Sequence, residues 1–267
     1  MFGLAFFVLH LAGGPPYTIA AAPSPAPQRA ASPTPTGPLV YYQAATIRDL
    51  ALAKEEPPLF RFEGGREEFP GTTGKTRMWT RYSTLEGSEL LWENLYIENG
   101  VMSRYEMKDT SEFEDGGLAV EAGKLLFFFH KQGKLQKGNE EIGDVPIMAG
   151  PGITWLMSQN LKPLIDGDTL SFRYPVLDRL ETLGFKLYML DDKPPGLPDG
   201  KKAVVLRLKA KSFIVRAFVD PIDFTVDVET GQLLSIKGRC PVKKRTDKGP
   251  VEFQALTTFE PARMTRA

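Results

Sequence analysis

Residues 222–238 read "IDFTVDVETGQLLSIKG". Ile222, Phe224, Val226 and Val228 alternate with Asp223, Thr225 and Asp227, the period of two that a strand shows when one face is buried. The alternation stops at "ETGQ", where Gly231 can take positive φ, and resumes as "LLSIKG". That is the pattern of a β-hairpin, and it commits the surrounding chain to an antiparallel sheet.

The same period extends in both directions. "AVVLRLKAK" (203–211) sets Val204, Leu206, Leu208 and Ala210 against Val205, Arg207, Lys209 and Lys211, and "LGFKLYM" (183–189) aligns Leu183, Phe185, Leu187 and Met189. Upstream, "KTRMWTRYST" (75–84), "SELLWENLYIENG" (88–100), "VMSRYEMKDT" (101–110) and "KLLFFFHK" (124–131) are bounded by Gly, Asn or Asp turn signals. Their short spacing favours a meander over crossover connections. "VEFQALTTFE" (251–260) closes or edges the sheet after an exposed basic loop, "RCPVKKRTDKGP" (239–250). Helical spacing is clear in "GPGITWLMSQNLKPLI" (150–165), where Ile153, Leu156, Met157 and Leu161 form one stripe and Pro151 suits the first turn. A weaker helix is predicted in "YQAATIRDLALAK" (42–54), with Ile47, Leu50 and Ala51 on one face. No repeat of fixed period is visible. The expectation is a mainly β domain over 39–267: a single curved antiparallel sheet, a half-barrel meander of about ten strands, with one or two helices on its concave face.

The 267 residues are 42% hydrophobic and 10% aromatic, enough for a large packed core and incompatible with a disordered chain. Lys+Arg and Asp+Glu both total 33, so no net field draws the protein to nucleic acid. The opening run "MFGLAFFVLHLAGG" is shorter than the roughly 20 apolar residues that cross a bilayer but suits the core of a signal peptide. With "TIAAAP" (18–23) after it, residues 1–22 are predicted to be a signal peptide cut after Ala20 or Ala21. Residues 23–38, "PSPAPQRAASPTPTGP", form a Pro/Ala/Ser-rich linker. Cys240 is the only cysteine, so the leader offers no thiol for lipid attachment and no internal disulfide can form. A soluble periplasmic or secreted protein is expected.

Catalytic and metal-binding inventories are sparse. His10 lies in the leader, which leaves His130 as a strand-terminal residue with no second histidine or cysteine near it in sequence. "GREEF" and "GNEEIGD" place carboxylate pairs beside glycines, as solvated turns do. "GGREEFPGTTGKT" (64–76) holds Gly-Lys-Thr without the spacing of a phosphate-binding loop, and Lys75 opens a strand rather than a helix. No catalytic residue, metal or cofactor is expected. The aromatic content offers two readings. Phe127 and Phe129 share one strand face, Phe185, Leu187 and Phe224 point inward on others, and Trp155 and Leu156 lie on the helix. They either fill a core or line an apolar cavity under the helix. Two charged groups interrupt the apolar pattern. Arg216 and Asp220 in "FIVRAFVDPIDFTVD" (213–227) share a face in either a strand or a helix. Arg173, Asp178, Arg179 and Glu181 cluster in "FRYPVLDRLETLGF" (172–185). Both groups are read as paired pins of the core, or alternatively as contacts for a polar headgroup.

The stretches "DGDTLSFRYPVLDRLETLGFKLYML" (166–190) and "SFIVRAFVDPIDFTVDVETGQLLSIKGR" (212–239) together resemble an uncharacterised family of exported bacterial envelope proteins, a domain of unknown function. The resemblance covers residues 160–260 and rests on the order Gly-Asp, Arg-Leu-Glu-Thr, Asp-Pro and Thr-Gly-x-Leu-Leu. It implies an architecture similar to that of the lipoprotein carriers of the Gram-negative envelope, a curved sheet and helical lid around a hydrophobic cavity, and it carries no site residues. The function expected on these grounds is non-enzymatic binding of an apolar or amphiphilic, lipid-like envelope ligand, with the helix near 151–162 as lid. Two other functions fit the same sequence. One is an envelope structural or interaction protein with a filled core, its protein partner adding to a sheet edge. The other is a polysaccharide-directed hydrolase or lyase using carboxylates or arginines.

Overall fold

The computed structural model describes residues 2–3, 5–6, 39–52, 56–69, 74–191 and 202–266. Within the predicted leader, Phe2–Gly3 pairs with Ala5–Phe6. The remainder of the predicted signal peptide and the linker 23–38 lie outside the described residues.

The body opens with eight strands, β1 (Leu39–Asp49), β2 (Phe60–Glu68), β3 (Lys75–Thr84), β4 (Glu89–Glu98), β5 (Val101–Asp109), β6 (Glu114–Glu121), β7 (Lys124–Lys131) and β8 (Lys134–Glu141). Two short helices follow, α1 (Gly152–Gln159) and α2 (Leu161–Ile165). The chain returns to the sheet as β9 (Leu170–Val176), β10 (Glu181–Leu190), β11 (Ala203–Ala210), a one-turn helix α3 (Phe213–Arg216), β12 (Ile222–Asp227) and β13 (Leu233–Arg239). A small hairpin, β14 (Lys244–Thr246) with β15 (Gly249–Val251), precedes β16 (Gln254–Phe259) and β17 (Arg263–Arg266).

The expected curved antiparallel sheet is present, and it is larger than the ten strands counted from the sequence. One sheet of 15 strands runs β8-β7-β6-β5-β4-β3-β2-β1-β16-β13-β12-β11-β10-β9, with β17 also on β1. Every ladder in it is antiparallel. The hairpin expected over residues 222–238 is β12–β13, with Thr225 opposite Ser235 and Gly231 at φ 69°.

The second predicted helix, in 42–54, does not form. Those residues supply β1, whose inward positions are Gln43, Ala45, Ile47 and Asp49. Two of the four are polar, so hydrophobicity does not alternate although burial does. The polar pair is satisfied inside: Gln43 Nε2 donates to Leu233 O at 2.8 Å and Glu260 O at 3.0 Å. Asp49 bonds Lys244 and accepts from Ala51 N at 2.9 Å.

Among the described residues no ladder joins the two edge strands β8 and β9, so the sheet is not a closed barrel. Side chains bring the edges together instead. Arg173 of β9 reaches Glu140 of β8 and donates to Ile142 O at 2.6 Å. Its Nε donates to Thr182 Oγ1 at 2.7 Å, and Thr182 N donates to Glu140 Oε2 at 2.8 Å. Ile147 bridges Arg173 in parallel. A Cβ on Gly138 of β8 would sit 2.8 Å from Leu180 Cβ, so a glycine is what lets the edges approach this closely. The sheet therefore wraps far enough round for its ends to touch, and α1 lies inside the wrap. Ile153, Leu156 and Met157 of α1 are buried. The helix starts at Gly152, where a Cβ would collide with Leu95 Cδ2 at 2.3 Å and Met148 Sδ at 2.2 Å.

Candidate ligand cavity

A cavity of about 400 Å³ lies between α1 and the inner face of the sheet, within the size range of small-molecule sites, roughly 300–1,000 Å³. Strand parity decides which side chains reach it. On β2 the inward set is Phe62, Gly64 and Arg66, on β3 it is Met78, Thr80 and Tyr82, and on β12 it is Ile222, Phe224 and Val226. Ile153 and Met157 come down from α1, with Leu233 and Phe259 opposite. Phe62 is fixed edge-on to both Tyr82, at 5.2 Å, and Phe259, at 5.3 Å. The wall is thus a set of interlocked rings.

The cavity has two ends. One is bordered by Tyr41, Arg66, the turn Thr230–Gly231–Gln232 and Met264, which is 68% exposed, together with Thr154 and Ser158 on the outer side of α1. This end is the mouth. The opposite end is bordered by Arg239, Cys240 and Pro241. Cys240 is buried, and burial pushes its thiol up to about 12. Arg239 pairs with Glu252.

A polar network interrupts the apolar wall. Glu93 of β4 is fully inside, in phase with Leu91, Leu95 and Ile97. It accepts hydrogen bonds from Tyr105 Oη at 2.6 Å and Thr80 Oγ1 at 2.7 Å. Burial raises the Glu93 carboxyl above the usual carboxylate range, against the opposing effect of those two hydroxyls. Burial, with the Glu93 charge behind it, holds the Tyr105 and Tyr174 phenols well above their ordinary value. A Cβ on Gly150, at φ 34°, would lie 2.5 Å from Glu93 Oε1, so the chain entering α1 seals the carboxyl from above. Glu93 was not among the residues singled out from the sequence. The signal that marks it is its parity: a lone carboxylate on the buried face of "LLWENLYI".

Arg66 is the cation at the mouth. Its Nη2 lies 3.2 Å from Glu68 Oε1 and its guanidinium sits over the Tyr41 ring at 5.9 Å. Its Nε is buried and has no hydrogen-bond partner among the described residues, a costly condition for a charged donor.

Of the residues expected to line a cavity, Trp155 and Phe224 do so. Phe127, Phe129, Leu156, Phe185 and Leu187 lie outside that lining and are buried in the packing. The reasons are local. Phe129 occupies the space over Gly116, where a Cβ would come within 2.7 Å of the ring. Phe185 stacks on Phe172 at 6.3 Å and meets Tyr174 edge-on at 6.1 Å.

The charged groups also resolve. Arg216 and Asp220 do not form a core pin. Residues 213–216 make α3, capped by Ser212, and lie on the surface with Phe213 79%, Ile214 73% and Phe218 60% exposed. Arg216 stacks on Phe213 at 5.6 Å, while Asp220 accepts from Gln254 Nε2 at 2.8 Å. Arg179 and Glu181 pair with each other at 2.6 Å on the surface, and Arg173 forms the edge latch. None of the five lines the cavity. His130 Nδ1 lies 2.9 Å from Asp115 Oδ2, both half-exposed. Among the described residues no group of three His, Cys, Asp or Glu side chains could hold a metal ion, and no helix is long and apolar enough to cross a membrane.

No family model matches the chain, and neither does any curated protein. Among solved structures it is similar to a beta-barrel-like protein of a domain of unknown function from Brucella abortus. The identity is 9% and the TM-score 0.45, over 88% of this chain and 100% of that one.

Proposed function

We propose that the protein is an exported, non-enzymatic carrier or shield for an apolar or amphiphilic ligand, held in the cavity under α1. The observation that supports this most directly is an apolar space of about 400 Å³ with one end at the surface, framed by Trp155, Phe62, Met157 and Phe224. A filled core would leave no such volume at the usual interior packing density. Export rests on the sequence pattern of residues 1–22.

The energetics suffice for reversible capture. A dodecyl chain of about eleven methylenes, at about 0.8 kcal/mol each, gains about 9 kcal/mol on full burial. Association costs of at least about 4 kcal/mol reduce that to at most about 5, a dissociation constant no tighter than on the order of 0.2 mM. The test is native mass spectrometry of protein recovered from its own cells, alongside titration with dodecanol followed by intrinsic tryptophan emission, to which Trp79 and Trp155 of the lining contribute. A co-purifying apolar adduct, or saturable dodecanol binding, is the expected result. Absence of both would leave a protein of filled core and overturn the proposal.

A further inference from the structure

We infer that the cavity selects anionic single-chain amphiphiles, with Arg66 holding the charged head at the mouth and the tail running inward past Phe62 and Met157. The inference rests on the ligand-binding function proposed above and adds the chemical class of the ligand.

Three observations carry it. First, Arg66 is on the inward face of β2, in phase with Phe62 and Gly64, at the strand's last inward position but one before the chain leaves the sheet at Glu68. An inward arginine at the end of an otherwise apolar file puts a cation where a tail's polar end would emerge. Second, Arg66 Nε is buried without a hydrogen-bond partner among the described residues, while Nη2 of the same guanidinium pairs with Glu68 and the side chain as a whole is 34% exposed. An anionic oxygen entering the mouth would meet the exposed part of the guanidinium first and would reach Nε once the side chain turns to uncover it, since a guanidinium can bind carboxylate or phosphate oxygens through Nε without giving up its outer partner. Third, the polarity along the cavity is ordered. Tyr41 and the Thr230–Gln232 turn stand with Arg66 at the mouth, and rings and methionines lie beyond. The acid inside the cavity, Glu93, has both oxygens engaged by Tyr105 and Thr80. The other cavity arginine, Arg239, sits at the opposite end and is paired with Glu252. Among the described residues of the lining, the buried donor that lacks an acceptor is therefore the one at the mouth.

The test uses three probes of equal chain length at neutral pH, each held below its solubility limit or micelle concentration: dodecanoate, dodecanol and dodecyltrimethylammonium, followed by intrinsic tryptophan emission, to which Trp79 and Trp155 of the lining contribute, and calorimetrically. Dodecanoate should bind about tenfold more tightly than dodecanol, and this advantage should shrink with added salt while dodecanol binding does not. Arg66→Gln should remove the advantage, weakening dodecanoate about tenfold more than dodecanol, and Arg66→Lys should restore part of it. Circular dichroism of each variant separates lost binding from lost folding. Equal affinity for dodecanoate and dodecanol, or an Arg66→Gln variant that weakens both alike, would overturn the anionic preference while leaving the apolar cavity standing. If no probe binds the folded protein, the cavity function itself falls, and this inference with it.

Discussion

Replacing Arg173 should loosen the whole wrap, because its side chain does the work of a missing ladder. Arg173 is 18% and Glu140 31% exposed as side chains, so the pair is neither a solvated surface contact nor a fully buried one. Breaking a buried pair typically costs about 3–5 kcal/mol, and partial exposure brings the figure here to about 2–3. The Arg173→Ala variant also strips a donor from Ile142 O and Thr182 Oγ1. For a domain of this size each kcal/mol moves the midpoint by about 2–4 °C, so a fall in Tm of about 4–12 °C is expected. Differential scanning calorimetry of Arg173→Ala, Glu140→Ala and the double variant would measure it. Because the two residues share one network, the double variant should lose less than the sum, with a coupling of about 1 kcal/mol or more. A midpoint within about 1 °C of the parent, or strict additivity, would show that the edges are held by something other than this latch.

Two further outcomes follow from the buried groups of the cavity. Burial raises the Glu93 carboxyl, so the folded protein keeps a proton that the unfolded chain releases at its ordinary value near 4.3. Below that value the group adds no pH dependence, and as pH rises through the folded value stability is lost. Glu93→Gln should therefore gain on the parent in Tm from about pH 4.5 towards neutrality, and a Tm difference that stays constant across that interval would refute the assignment. Cys240, buried with its thiol pushed up to about 12, should resist iodoacetamide in the native protein and react on unfolding. Rapid native labelling, read by intact mass, would place the thiol at the surface.

Most strand boundaries are legible in the sequence, because in these segments burial and hydrophobicity have the same period. "KTRMWTRYST" and "KLLFFFHK" coincide with β3 and β7 from end to end. The strands that escape are those in which the two periods part. β1 hides behind Gln43 and Asp49 on its inner face, and β8, "KLQKGNEE", is an edge with almost nothing buried. β2 is interrupted by Gly64 and Gly65, where a Cβ would run into the rings of Phe62 and Trp79 respectively. These three, together with β6, β9 and the short β17, are why about ten strands are expected from the sequence where the sheet has 15. Site residues were legible only in part, for a different reason. Parity identifies an inward side chain but not whether a neighbour is small enough for it to pack against, so Phe129 over Gly116 and Phe224 beside open space look alike in sequence. Arg216 shows the limit of reasoning from spacing: four residues from Asp220 and surrounded by apolar residues, it nonetheless lies on an exposed turn, where the apolar neighbours face water too.

The unclosed seam has a mechanical meaning for a container. In a true barrel, strand number and stagger set the girth, and widening the interior means breaking backbone bonds along a full ladder. Here the circumference ends in two free strand edges tied by one guanidinium, one carboxylate and a short bridge at Ile147. Slippage at that tie would alter the bore without unzipping any of the sheet's ladders, so under the proposed function the vessel would be rigid in its staves and elastic in its hoop.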